Sequence, residues 1–149
     1  MPVPYAAGEL SAACVGGADS SSVSLSTAGP PAAIKLLADR PTIGATRDDL
    51  AYVTVLVVDA KGVLCDHAAV DVAFTASGAG ELFRVGSGNP IDTDSFTNGK
   101  RTTWRGKAVA VLRPSKAAAA AAAAVAGGSI TLTATAAGLT KGTVSVTVA

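Results

Sequence analysis

The residues able to do chemistry in this chain are few and widely spaced. Its only glutamates, Glu9 and Glu81, lie 72 positions apart. A glycosidase acid and nucleophile must be held across one sugar bond, and these two fall in different segments. Asp48-Asp49 and Asp92-x-Asp94 sit in polar, turn-like stretches, where aspartate is usually a solvated turn former. Asn89, Asp92 and Asp94 offer the oxygen ligands a calcium ion takes, but their spacing matches no calcium loop. The single histidine lies in Leu64-Cys65-Asp66-His67. A thiol, a carboxylate and an imidazole in a row make no triad, because neighbours on a strand point to opposite faces. That segment reads as an exposed turn, and zinc lacks the further ligands it needs. Gly86-Ser87-Gly88-Asn89-Pro90 has the glycines of a phosphate loop without the following helix, so no nucleotide is expected there. What remains is aromatic. Trp104 and Phe96, with Arg101 between them, could form a sugar-stacking platform. The opposing reading folds Trp104 back as a plug over the sandwich end.

These side chains need a scaffold, and the scaffold reads as β. The hydrophobic fraction is 49%, the charged fraction 15% and the net charge +1 over 149 residues. That suits one domain, or one plus a fragment, and excludes a disordered charged tail. Lys and Arg are scattered singly along the sequence, so a phosphate-tracking surface and a nucleic-acid partner are not expected. No apolar run is long enough to span a membrane. MPVPYAAGEL has neither the basic start nor the apolar core of a signal peptide. This leaves a cytosolic protein or an internal piece of a longer one. Cys14 and Cys65 form no disulfide framework and no metal spacing. They are two small apolar side chains or, in a secreted protein, one disulfide.

Period-2 runs recur at residues 33–37, 52–58, 70–75, 109–111, 130–135 and 144–148, separated by glycine-rich turns. They predict an all-β, antiparallel β-sandwich of immunoglobulin type over residues 30–149, with a β-barrel as the alternative the pattern leaves open. The stretch 81–106 reads as a long polar and glycine-rich excursion. Ala117 to Ala124 reads as an inserted loop or a short helix. Residues 1–29 read as a β-hairpin, with Leu10, Ala12 and Cys14 on one strand and Val23 and Leu25 on the other. Thr27-Ala28-Gly29-Pro30-Pro31 reads as a linker.

Three groups of residues together resemble the C-terminal part of the β-galactosidases of glycoside hydrolase family 2. The first is Val3-Pro4-Tyr5-Ala6-Ala7-Gly8-Glu9-Leu10-Ser11-Ala12 with Thr27-Ala28-Gly29-Pro30-Pro31-Ala32-Ala33-Ile34-Lys35-Leu36. The second joins Ala38-Asp39-Arg40, Asp48-Asp49-Leu50-Ala51-Tyr52-Val53-Thr54-Val55 and Val58-Asp59-Ala60-Lys61-Gly62. The third joins Gly80-Glu81-Leu82, Val85-Gly86-Ser87-Gly88-Asn89-Pro90, Phe96 and Gly106-Lys107-Ala108. The alanine tract, and Cys65 where proline is common, depart from the pattern. The resemblance implies an immunoglobulin-like domain without catalytic residues or cofactor, entered from the last hairpin of a preceding accessory domain. It also implies neighbouring domains as partners, with carbohydrate as a further ligand, and an extracytoplasmic parent protein. Two rivals are a stand-alone carbohydrate-binding module using Trp104, Phe96 and Arg101, and an adhesin-type scaffold repeat.

Overall fold

The computed structural model describes residues 4, 6–14, 21–116, 119 and 128–149. Among these residues eleven strands form three sheets. β1 (Glu9–Cys14) and β2 (Ser21–Ser26) make a separate hairpin. The other strands are β3 (Pro31–Ala38), β4 (Thr42–Ile43), β5 (Ala51–Asp59), β6 (Asp71–Gly78), β7 (Gly80–Gly86), β8 (Lys100–Thr102), β9 (Lys107–Pro114), β10 (Gly128–Thr135) and β11 (Gly142–Val148). They stack as a five-stranded sheet, β4-β11-β10-β6-β8, against a four-stranded sheet, β3-β5-β9-β7. The all-β sandwich expected from the period-2 runs is what forms. Its pairings are antiparallel except the two-residue contact of β4 with β11 and a single bridge between Ala33 and Thr140, which are parallel.

One aliphatic core lies between the sheets. Ile34 and Leu36 of β3, Val53 and Val55 of β5, and Leu112 of β9 meet Phe74 of β6, Ile130 and Leu132 of β10, and Val146 and Val148 of β11. Strand β9 turns its smaller side chains toward the core. Ala108, Ala110 and Leu112 point inward, while the larger Val109 and Val111 are only partly covered on the outer face. Small residues at these central positions let the two sheets approach.

The excursion read from the sequence is shorter than 81–106. Residues 80–86 are the edge strand β7, and a bulge between Leu82 and Arg84 leaves Phe83 without a cross-strand partner. The bulge breaks the two-residue alternation that reveals a strand, and it blunts a sheet edge. The loop proper is residues 87–99. It leaves edge strand β7 of one sheet and enters edge strand β8 of the other, closing the open side of the sandwich. The alanine tract lies outside the described residues apart from Ala119. No described helix is long and apolar enough to cross a membrane.

Candidate functional site

The loop is folded around Arg101. On β8 this residue pairs with Val72 of β6, and antiparallel partners share a face, so its side chain enters the sandwich edge. It is 2% exposed. A buried guanidinium needs a counter-charge and acceptors. Asp92 supplies the charge at 2.5 Å. The carbonyls of Ser95, Asp94 and Val85 accept from Nη2 at 2.9, 3.3 and 3.4 Å. Nε is left without a partner. Asp92 also accepts from the Asp94 N–H and from Ser87 Oγ. The Asp94 N–H, then Arg101, holds its carboxyl below the usual range. Asn89, Asp92 and Asp94 thus serve as turn formers and as Arg101's counter-charge. Arg101 itself is committed to the loop, and what the loop presents outward is aromatic.

Phe96 lies over Gly86, with ring carbons 3.6 and 3.7 Å from where a Cβ would stand, and Arg101 sits 5.2 Å from its centroid. Trp104 lies 3.6 Å from the corresponding position of Gly88. Both rings therefore rest close to the backbone at residues 86 and 88. Trp104 does not plug the sandwich, for it is 41% exposed, and Phe96 is 60% exposed. Trp104 opens a tight two-residue turn, exchanging backbone hydrogen bonds with Lys107 at 2.8 and 3.0 Å. Both central residues, Arg105 and Gly106, have positive φ, as a type I′ turn requires.

The cross-strand register extends this pair of rings into a surface. Trp104 bridges Lys107, which pairs with Leu56, which pairs with Lys35. One row along, Gly86 beneath Phe96 pairs with Val109, then Thr54, then Leu37. In the next row Arg84 pairs with Val111 and then Tyr52. All these residues share the outer face of the four-stranded sheet, and Tyr52 is 48% exposed. Tyr52 was the aromatic missed from sequence. Its alternation with buried Val53 and Val55 was the available signal. At the β7 edge, Glu81 receives Arg113 at 2.7 Å and Arg47 at 2.9 Å. These two hold its carboxyl below the usual range, Arg113 foremost. Arg84 and Arg113 both lie over the Phe83 ring, at 4.1 and 4.0 Å.

Elsewhere the reactive residues stay apart. Glu9 is on the hairpin and Glu81 on β7. His67 is exposed, 3.5 Å from Asp66. Cys14 is exposed on the hairpin and Cys65 buried under β5, and both are free thiols. Burial pushes the Cys65 thiol up, which makes it inert. Asp48 and Asp49 part company: Asp49 accepts the Gly44 N–H at 2.7 Å and faces Arg40. Among the described residues no three His, Cys, Asp or Glu gather as a metal site. A cleft of about 530 Å³ runs beside β8, lined by Asp71, Asp94, Asn98, Lys100, Arg101 and Thr102 among others.

Asp59 ties the linker to the sandwich. One carboxyl oxygen accepts the N–H groups of Lys61 and Val63, and the other accepts the Gly29 N–H at 2.8 Å. The Gly29 bond, followed by that of Val63, holds its pKa below the ordinary carboxylate value.

Residues 34–145 match the family described as Glycoside hydrolase family 2 C-terminal domain 5. Over 95 residues the chain is 42% identical to Beta-galactosidase BoGH2A of Bacteroides ovatus, covering 61% of this chain and 11% of that protein. A solved glycosyl hydrolase family 2 member from Bacteroides cellulosilyticus superposes with a TM-score of 0.83 at 34% identity, covering 99% of this chain and 18% of that one. A β-glucuronidase of the same family superposes at 0.74 and 25% identity, covering 99% and 15%. The chain therefore spans under a fifth of the length of these relatives.

Proposed function

The chain belongs to the glycoside hydrolase family 2 C-terminal domains, and on that premise we propose that it is a non-catalytic accessory module of a β-galactosidase-like enzyme. Its work is to pack against neighbouring domains of the same protein. The hairpin carries this reading. In it Leu10 pairs with Leu25 and Ala12 with Val23, so one face is a continuous apolar stripe. Leu10, Leu25 and Val23 are 72%, 70% and 66% exposed. A two-stranded hairpin is marginal in water, and such a stripe needs a cover. The family match begins only at residue 34, whereas the likeness to the Bacteroides cellulosilyticus protein runs through 99% of the chain. Residues 1–29 then form the end of a preceding accessory domain, and residues 30–149 form the immunoglobulin-like module that follows it.

The test is a variant of a chain extended to include that preceding domain. There, Leu25→Asp is expected to lower the melting temperature of the preceding domain. In the 149-residue chain the same change leaves the melt unaltered, and no chromogenic β-galactoside is turned over. Turnover by this chain, or an extended chain indifferent to Leu25→Asp, contradicts the reading.

A further inference from the structure

We infer that the outer face of the four-stranded sheet binds an acidic polysaccharide, one bearing uronate or sulfate groups. The inference stands on a surface the hairpin does not use. Cations dispersed in sequence are gathered there by register. Lys35, Arg84, Lys107 and Arg113 all project from this face, and Glu81 and Asp39, the latter opposite Tyr52, are the acids set against them. The face therefore carries +2, while the whole chain carries only +1, so the remainder is net negative by one charge. Glu81 is already shared between Arg113 and Arg47, which leaves Arg84, Lys107 and Lys35 facing solvent. Two guanidiniums crowd one Phe83 ring, an arrangement that an added anion relieves.

Charge alone would suit any polyanion. The rings narrow the choice. Tyr52, Phe96 and Trp104 stand exposed on the same face, among Thr54, Val109 and Val111. Flat aromatic surfaces take the C–H faces of sugar rings, and cations beside them take carboxylate or sulfate. Successive rows lie about 6.8 Å apart along the strands, since each is two residues on. A linear chain of pyranose units laid across them meets rings and cations in turn. A neighbouring domain's acidic surface, or nucleic acid, would use the charges without needing three exposed rings.

The chain has one tryptophan, so its fluorescence reports Trp104 alone. The test titrates the 149-residue protein with polygalacturonate oligomers, heparin oligosaccharides, neutral galactan oligomers and single-stranded DNA. The expected result is a saturable Trp104 response to polygalacturonate, heparin or both, the two arms distinguishing carboxylate from sulfate. Raising the salt from about 0.05 to 0.3 M weakens it at least ~5-fold, as for an exposed charge contact. Arg84→Glu and Lys107→Glu each weaken it about 10-fold, and Tyr52→Ala weakens it with the melting temperature unchanged. Silence toward both acidic glycans overturns the inference. So does equal binding of neutral galactan, or binding of DNA at least as tight as that of the glycans and indifferent to Tyr52→Ala.

Discussion

Gly106 has no room for a side chain. Its φ is +68°, and a Cβ would stand 2.3 Å from the Cys65 carbonyl oxygen. Its N–H donates to Ala68 and its carbonyl accepts from Val57, so neither backbone can retreat cheaply. Gly106→Ala is expected to destabilise the fold by more than about 1 kcal/mol, read as a fall in the urea midpoint. Asp59 makes the second prediction at this scale. Its carboxyl is depressed in the folded state, so its contribution is full above the unfolded value of about 3.9. That contribution fades as the pH falls through the lower folded value. Protection of the Gly29 amide from hydrogen exchange, corrected for the intrinsic pH dependence of exchange, is therefore expected to fall as the pH drops below about 4. Asp59→Asn should show that loss of protection already at neutral pH, because the amide oxygen accepts more weakly than the carboxylate.

Strand β9 shows what an element's sequence conceals. Its valines face outward and its alanines inward, the reverse of what side-chain size implies. Ala110 is 0% exposed at the centre of the sandwich, so Ala110→Leu is expected to overpack it and cost about 1–3 kcal/mol. Val109→Thr on the outer face should cost under about 1 kcal/mol. Equal losses from the two, measured by chemical denaturation, would mean the strand is turned the other way. Strands β3, β5, β6, β10 and β11 were legible because their aliphatic residues alternate cleanly or run continuously. β7 was not, since its bulge at Phe83 interrupts the period, and β4 and β8 are too short to have one. The same logic governs the candidate site. Trp104 and Phe96 stood out by type alone. Arg101 also stood out by type, but its burial follows from pairing with Val72, which no local pattern encodes. The basic face is built from four residues on three strands, and only the register brings them together.

At the scale of the molecule, the sandwich and the hairpin differ in how well they enclose themselves. The sandwich buries seventeen apolar residues in one cluster. Every residue of β1 and β2 is exposed. Between them Gly29 is fixed by Asp59, and Ala32 and Ile34 bond to Thr140, so the chain enters the sandwich along a defined path. A unit built this way keeps its own core and offers an unfinished edge upstream. Amide hydrogen exchange measures that difference directly. In the 149-residue chain, the amides of 9–14 and 21–26 are expected to exchange within seconds, while those of β5 and β10 stay protected for hours. In a chain extended through the preceding domain, the hairpin amides should gain protection approaching that of the sandwich. Hairpin amides already as slow as those of β5 in the 149-residue chain, or no slower after the extension, would contradict the account.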